Sequence, residues 1–380
     1  MQRLDDVCIL ITDGTHYSPK NEGVGLPFVT VKDMSEVGLD FDNCIRISEE
    51  VWQKADDGNS APRSGDVLLS KDGTVGKVHV VKNEAKFAAL SSIAILRPNP
   101  EILDSDYLGH FLKSEEAMRQ ASRMKTGTAL RRIILKDIKK IQLRIPSLKE
   151  QRRIAAILDK ASLIKKDKDI AIEKRSELLK SLFYHMFGDP ITNPKGWSKK
   201  PLGELVTIVR GGSPRPIKDY LGGSIPWIKI GDATKGDEVY LHQTKENITE
   251  AGLTKTRLLE KGSLIFANCG VSLGFARIIT FRGCIHDGWL AFSDIEEDIV
   301  DKMFLLKALN CVTMYFRDTA PDGTQPNLNT SIMKKFEIIL PPIKLQKEFS
   351  EYCHKEYKNS NYDLNRVEQL IGSLSQKITV

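Results

Sequence analysis

Ile145-Pro146-Ser147-Leu148-Lys149-Glu150-Gln151 and Leu340-Pro341-Pro342-Ile343-Lys344-Leu345-Gln346 resemble each other across a separation of 195 residues. Working outward, Leu4-Asp5-Asp6-Val7 matches Leu202-Gly203-Glu204-Leu205, and Leu26-Pro27-Phe28-Val29 matches Ile225-Pro226-Trp227-Ile228. Gly65-Asp66-Val67-Leu68-Leu69-Ser70 matches Gly262-Ser263-Leu264-Ile265-Phe266-Ala267, and Gly127-Thr128 matches Gly323-Thr324. Taken in chain order the offsets are 198, 199, 197, 196 and 195 residues. Collinear pairs at a slowly drifting offset point to an internal duplication, and a repeat decides the architecture before any single motif does.

Each copy has the same internal order. Short apolar runs such as Val67-Leu68-Leu69, Val78-His79-Val80-Val81 and Ile93-Ala94-Ile95-Leu96, punctuated by Gly, Pro, Asn and Asp, read as strands and turns. Tyr107 to Met124 and Lys302 to Tyr315 have helical apolar spacing. Each globular part is therefore mixed α and β. After each proline signal the pattern changes to a long helix. In the first, Ile154, Ile157, Ala161, Ile164, Ala171, Leu178 and Leu182 form the stripe, interrupted by Lys168, Arg175 and His185. In the second, Cys353, Tyr357, Leu364, Val367, Ile371, Leu374 and Ile378 do the same, with Ser360 as the weak position. Alternating steps of three and four are the seam of a coiled coil. A helix of roughly 38 residues would be roughly 57 Å long.

The expected organisation is a first globular domain over 1–146, a long helix over 147–187, a Gly/Pro-containing linker over 188–196, a second globular domain over 197–341 and a second long helix over 342–380. The fold class is α+β, with two similar domains separated by helices that form an antiparallel coiled coil of pseudo-two-fold character.

Composition bounds the function. The 380 residues are 41% hydrophobic and 28% charged, which excludes disorder and allows two or three domains with real cores. Six scattered cysteines without a C-x-x-C pair indicate reduced thiols and no zinc knuckle. The most apolar stretch, Leu264 to Phe281, is interrupted by Asn268 and Arg277, so no membrane span is expected, and the reduced thiols read as cytoplasmic. A formal charge of +6 permits a nucleic-acid partner.

The duplicated order of Gly65 to Lys77, a Gly-Thr loop, and Ile145 to Ile154 leading into a coiled coil resembles the specificity subunit of type I restriction-modification enzymes. Gly323-Thr324-Gln325-Pro326-Asn327-Leu328-Asn329 before Leu340-Pro341-Pro342 is similar to that family's junction between a target recognition domain and a conserved helix. The resemblance implies a non-catalytic subunit with two recognition domains, each reading half of a split target in double-stranded DNA. It also implies two methyltransferase subunits docked on the helices, with restriction and motor subunits added. No cofactor is expected on this chain, since S-adenosylmethionine, ATP and Mg²⁺ would belong to partner subunits. The copies depart from one another where Gln325-Pro326-Asn327 faces Ala129-Leu130-Arg131, and where Asn268 to Gly274 faces the Gly65 to Lys77 loop.

Catalytic readings are weak. Gly73-Thr74-Val75-Gly76-Lys77 lacks the spacing of a phosphate loop, and Val78 follows where Ser or Thr is required. Asp66 with Glu84 and Lys86 imitates a nuclease metal site, yet the second copy has Ser263 in place of Asp66. That triad defines the rival reading, a stand-alone DNA nuclease or modifying enzyme; a two-headed protein scaffold is the other. Cys284 with His286 lacks the further ligands of a zinc site.

Arg and Lys suit guanine O6 and N7, and Asn and Gln suit adenine N6 and N7, while many other cations touch only phosphate. The DNA-binding candidates are Lys71, Lys77, Lys125, Arg131 and Arg132 in the first copy. In the second they are Arg210, Arg215, Lys218, Lys229, Asn268 and Gln325. No catalytic and no metal-binding residue is expected.

Overall fold

The structure, a computed structural model, describes residues 1–35, 38–82, 86–123, 132–234, 236–270, 272–319 and 327–358. The chain divides into two compact units, whose main bodies are Met1–Lys166 and Asp167–Tyr362. The first contains β1 (Gln2–Arg3), β2 (Cys8–Asp13), β3 (Leu26–Val29), β4 (Ile45–Ile47), β5 (Val67–Ser70), β6 (Val78–Val80), β7 (Ala88–Ala89), β8 (Ile93–Pro98) and β9 (Gln142–Leu143). The second contains β10 (Ser198–Pro201), β11 (Thr207–Arg210), β12 (Leu221–Ile228), β13 (Tyr240–Leu241), β14 (Glu246–Ile248), β15 (Arg257–Leu259) and β16 (Leu264–Ala267). It continues with β17 (Ala276–Ile279), β18 (Gly283–Ile285), β19 (Trp289–Ser293) and β20 (Glu337–Leu340).

The duplication is visible in the topology. The order β2-β8-β5-β6 in the first unit recurs as β11-β19-β16-β17 in the second, where β13 extends it. The order β4-β3-β7 recurs as β14-β12-β18, extended by β15, and the pair β1-β9 recurs as β10-β20. Even the parallel pairing of β3 with β7 has its counterpart in β12 with β18. The equivalent strands β5 and β16 bury their apolar residues completely: Val67, Leu68 and Leu69 are matched by Leu264, Ile265 and Phe266.

Each unit packs a helix on its larger sheet, Ser105–Lys113 in one and Lys302–Cys311 in the other. Both start at an aspartate whose carboxylate accepts main-chain N–H groups of the first turn: Asp104 from Asp106 and Tyr107, Asp301 from Phe304. The single helices expected over Tyr107 to Met124 and Lys302 to Tyr315 are each broken. Ser114 caps the first at its C-terminus before Glu115–Arg123 begins, and Val312 does so before Thr313–Thr319. Met124 lies outside the described residues.

The long helix is Leu148–Phe187. Its first turns bury Ile154, Ala155, Leu158 and Ala161, the first three in the core of the first unit. Further on the buried face differs from the expected stripe: Leu178 is 62% exposed, whereas Arg175, Leu179, Phe183 and Phe187 are buried. Aromatic anchoring explains the shift. Phe183 and Phe187 pack on Phe304 and Phe349 with ring centroids 4.9–5.6 Å apart, and this cluster takes the core face. A second helix, 343–358, runs antiparallel to this segment within the second unit. Phe349 meets Phe183 and Phe187, and Tyr357 meets Arg175, so numbers rise on one helix as they fall on the other. Leu364, Val367, Ile371, Leu374 and Ile378 lie outside the described residues.

The junction between globule and helix is built identically in both units. Gln151 and Gln346 are each fully buried. The Gln151 Oε1 accepts from the Asp104 N–H at 2.8 Å, and its Nε2 donates to the Ile102 and Pro146 carbonyls at 2.8 and 2.9 Å. The Gln346 Oε1 accepts from the Asp301 N–H at 2.9 Å, and its Nε2 donates to the Ile299 and Pro341 carbonyls at 3.1 and 2.7 Å. Residues 188–196, expected as a linker, form tight turns: the Asn193 side chain bonds both main-chain groups of Trp197, whose indole donates to the Phe187 carbonyl at 2.8 Å.

Candidate nucleic-acid interface

In the second unit β11 ends at Arg210, which the ladder pairs with Leu290 on β19. Gly211 and Gly212 follow because the chain there passes too close to its neighbours for a side chain. A Cβ on Gly211 would lie 2.3 Å from the His286 carbonyl oxygen, and one on Gly212 would lie 2.5 Å from that of Lys255. The loop after β11 is thereby pressed against the turn between β18 and β19.

Around that turn the cations gather. Arg210 Nε donates to the Asp287 carbonyl at 2.7 Å, Arg257 Nε donates to the Arg210 carbonyl at 3.2 Å, and Arg215 lies 3.8 Å from the Asp287 carboxylate. The Ser213 hydroxyl donates to that carboxylate at 2.7 Å. Burial raises the Asp287 pKa, but Ser213, then His286, Arg210 and Arg215, outweigh it and hold the carboxyl below its ordinary value. Burial, joined by Lys229, Arg210 and Arg215, holds the His286 imidazole below its ordinary value against the pull of Asp287. The Gly288 N–H donates to His286 Nδ1 at 2.8 Å, so the neutral ring carries its proton on Nε2, 3.2 Å from Asp287.

Of the second-copy candidates, this arrangement brings together Arg210, Arg215 and Lys229. Lys229 is ion-paired with Glu246. Lys218 is exposed on the short 3₁₀ helix Ile217–Tyr220. Asn268, expected in an exposed loop, is instead fully buried: its main-chain N–H donates to the Gly288 carbonyl and its side-chain amide to Asn327 at 3.1 Å. Gln325 lies outside the described residues.

The first unit differs at the corresponding places. Lys71, expected at a loop, is buried and ion-paired with Asp13 at 3.2 Å. Lys77 is half-buried, its ammonium donating to the Val31 and Met34 carbonyls. Both lysines fold inward because a carboxylate or main-chain oxygens lie within reach at the strand ends. Arg132 is exposed, 3.5 Å from Asp72. Lys125 and Arg131 lie outside the described residues. Sequence reasoning missed Ser213, Arg257 and Asp287. The spacing gives no sign that the strand bearing Arg257 borders the loop bearing Arg215.

The nuclease triad finds no support. Asp66 is fully buried, its two oxygens accept from Arg97 at 2.8 and 2.9 Å, and the Arg63 N–H adds a bond at 2.8 Å. Lys86 is paired with Glu49 at 2.8 Å, and Glu84 lies outside the described residues. Among the described residues no three His, Cys, Asp or Glu side chains converge as a metal site. Cys284 is fully buried, and burial pushes its thiol up to about 11, far from a nucleophilic thiolate. Among the described residues no helix is long and apolar enough to cross a membrane.

One mixed α/β scaffold thus occurs twice in the chain, with differing side chains at equivalent strand ends and a helix following each copy, the pattern of a protein with two recognition domains. The chain matches the type I restriction modification DNA specificity domain twice, over residues 1–174 and 194–369, and it belongs to that family. It is 24% identical over 352 residues to the type I restriction enzyme MjaIX specificity subunit of Methanocaldococcus jannaschii, covering 86% of this chain and 79% of that protein. With the HindI specificity subunit of Haemophilus influenzae the identity is 29% over 189 residues, covering 47% of this chain and 40% of the other. The solved type I restriction-modification S subunit from M. genitalium shares its fold, with a TM-score of 0.54 at 15% identity, over 98% of this chain and 92% of that one.

Proposed function

We propose that the chain is the DNA sequence-specificity subunit of a type I restriction-modification complex, acts in the cytoplasm, and reads a bipartite target, one half per recognition domain. The observation that carries this reading is one scaffold built twice with different chemistry at matching strand ends. Asp13 and Lys71 occupy in the first copy the places held by Arg210 and Asn268 in the second. Two identical scaffolds with identical loops would read a repeated half-site; unlike loops read unlike halves. The chain itself is non-catalytic. Two methyltransferase subunits dock on its helices and bring S-adenosylmethionine, and restriction subunits bring the ATP- and Mg²⁺-dependent steps.

The test is to map methylated sites in DNA from cells expressing this chain with its methyltransferase partner. A split motif with a fixed unspecified gap is expected, and exchanging residues 1–146 for those of a relative should change one half only. Methylation without such a motif, or a change in both halves, would overturn the reading. Binding of the assembled complex should also weaken steeply as salt rises, because phosphate contacts release counterions.

A further inference from the structure

Resting on the DNA-reading function just proposed, the geometry points to Arg210 as a specificity-determining residue of the second domain, one that reads a guanine through O6 and N7. Three observations converge on it. Its main chain is fixed at the end of β11 by the ladder to Leu290 and by the close passage of Gly211. Its side chain is exposed yet already oriented, because Nε is held by the Asp287 carbonyl at 2.7 Å. Among the described residues neither terminal amino group has a hydrogen-bond partner, which leaves two donors side by side at a fixed attitude. A guanidinium oriented in this way matches the paired acceptors on the major-groove edge of guanine, and little freedom is lost on contact.

Phosphate is the competing ligand for any arginine, and what favours the base edge here is the preset attitude of the fork. The Asp287 carboxylate sits on the same turn, kept ionised by Ser213, His286, Arg210 and Arg215. It offsets part of the positive charge of Arg215, 3.8 Å away, so the turn is not a bare cationic patch. Arg215 is the contrasting case. Its side chain is 82% exposed and reaches Asp287 only at 3.8 Å, a loose cation of the kind that tracks a DNA backbone.

The first domain lacks this device. Asp13 pairs with Ala94, and Ala94 with Leu69, as Arg210 pairs with Leu290 and Leu290 with Phe266, so Asp13 and Arg210 hold the same position. A carboxylate answered by Lys71 at 3.2 Å offers no fork of donors. The guanine read from this position therefore belongs to one half of the target only.

The experiment compares the methylated sites produced by the wild-type chain, Arg210→Lys and Arg215→Ala, each in complex with the methyltransferase partner. The second half-site is identified by exchanging residues 1–146. Arg210→Lys keeps the charge and loses the fork. It should relax discrimination at one G·C pair of the second half by about 5- to 150-fold, the range of one bidentate contact, and leave the first half unchanged. Arg215→Ala should weaken binding evenly across sequences, with the salt slope smaller by about one and the motif intact. An unchanged motif for Arg210→Lys, with uniform weakening only, would overturn the assignment while leaving the specificity function standing. A wild-type chain that yields no sequence preference would overturn both.

Discussion

Gln151 and Gln346 offer a perturbation with its control built into the same molecule. Each is fully buried, and each ties the start of a helix to its globule through one accepted and two donated hydrogen bonds. Substitution by leucine keeps the bulk and removes all three bonds. The aspartate N–H, Asp104 in one unit and Asp301 in the other, then loses its partner in a buried place. An orphaned buried donor costs about 1–3 kcal/mol, and the two stranded carbonyls add to it. We expect about 2–4 kcal/mol from either substitution, lowering the melting temperature of the affected unit by about 10 °C. Calorimetry of the full chain should show Gln151→Leu shifting one transition and Gln346→Leu the other, by comparable amounts. A neutral result for one glutamine beside a large loss for the other would refute the equivalence of the two junctions.

Lys307 lies in a largely buried network, ion-paired with Glu238 and 3.0 Å from the Tyr357 hydroxyl, while the Ser176 hydroxyl also donates to Glu238. Lys307→Met deprives that carboxylate of its paired cation and should destabilise the second unit by about 3 kcal/mol in urea titrations. The double variant with Glu238→Gln should recover most of the loss. Burial raises the Glu238 pKa, but Lys307, Ser176 and Tyr357 outweigh it and leave the group below its ordinary value. Its contribution is therefore fully present above the ordinary glutamate range and lost as pH falls through the depressed folded value. Melting curves from neutral pH downward should show the second unit losing stability in that window, and Glu238→Gln should flatten the dependence.

The duplication was legible because it is written in strand ends, prolines and glycines, whose roles are set by local backbone geometry. Gly14 shows how deep that goes. Its main-chain N–H donates to the Ile93 carbonyl just as that of Gly211 donates to Trp289, and a Cβ at either place would collide with main chain. The buried face of the long helix was legible only in its first turns. Leu178 and Leu179 are adjacent, and helical period alone does not choose between them; Phe304 and Phe349, distant in sequence, choose Leu179 by drawing Phe183 and Phe187 inward. The same limit applies to the candidate site. Whether a strand-end lysine reaches solvent or turns inward depends on a carboxylate 58 positions away, as with Lys71 and Asp13, and no local pattern records it.

That ion pair also shows how one scaffold supports two chemistries. The main chain at Lys71 and Asn268 is held identically: the N–H groups donate to the Ser92 and Gly288 carbonyls, and the carbonyls accept from Ile133 and Leu328. Backbone bonds fix the frame, so the side chains are free to differ, provided each set balances its own charge. Lys71 and Asp13 balance one another's charge at 3.2 Å, with only 4% and 14% of their side chains exposed. Asn268 and Arg210 need no such partnership, since Asn268 turns to Asn327 and Arg210 leans on a main-chain oxygen. Exchange of a single member should therefore cost more than its share of an exchange of both. Lys71→Asn alone strands the Asp13 carboxylate, and Asp13→Arg alone sets a second cation against the buried Lys71 ammonium; each should cost about 3 kcal/mol in a thermal or urea melt of the first unit. The double variant, which gives the first copy the second's residues at these two positions, should lose clearly less than the sum of the two single losses, a coupling outside additivity for independent sites. If the two losses simply add, the residues are not paired in the way the structure places them, and the loops of the two domains are not interchangeable as charge-balanced sets.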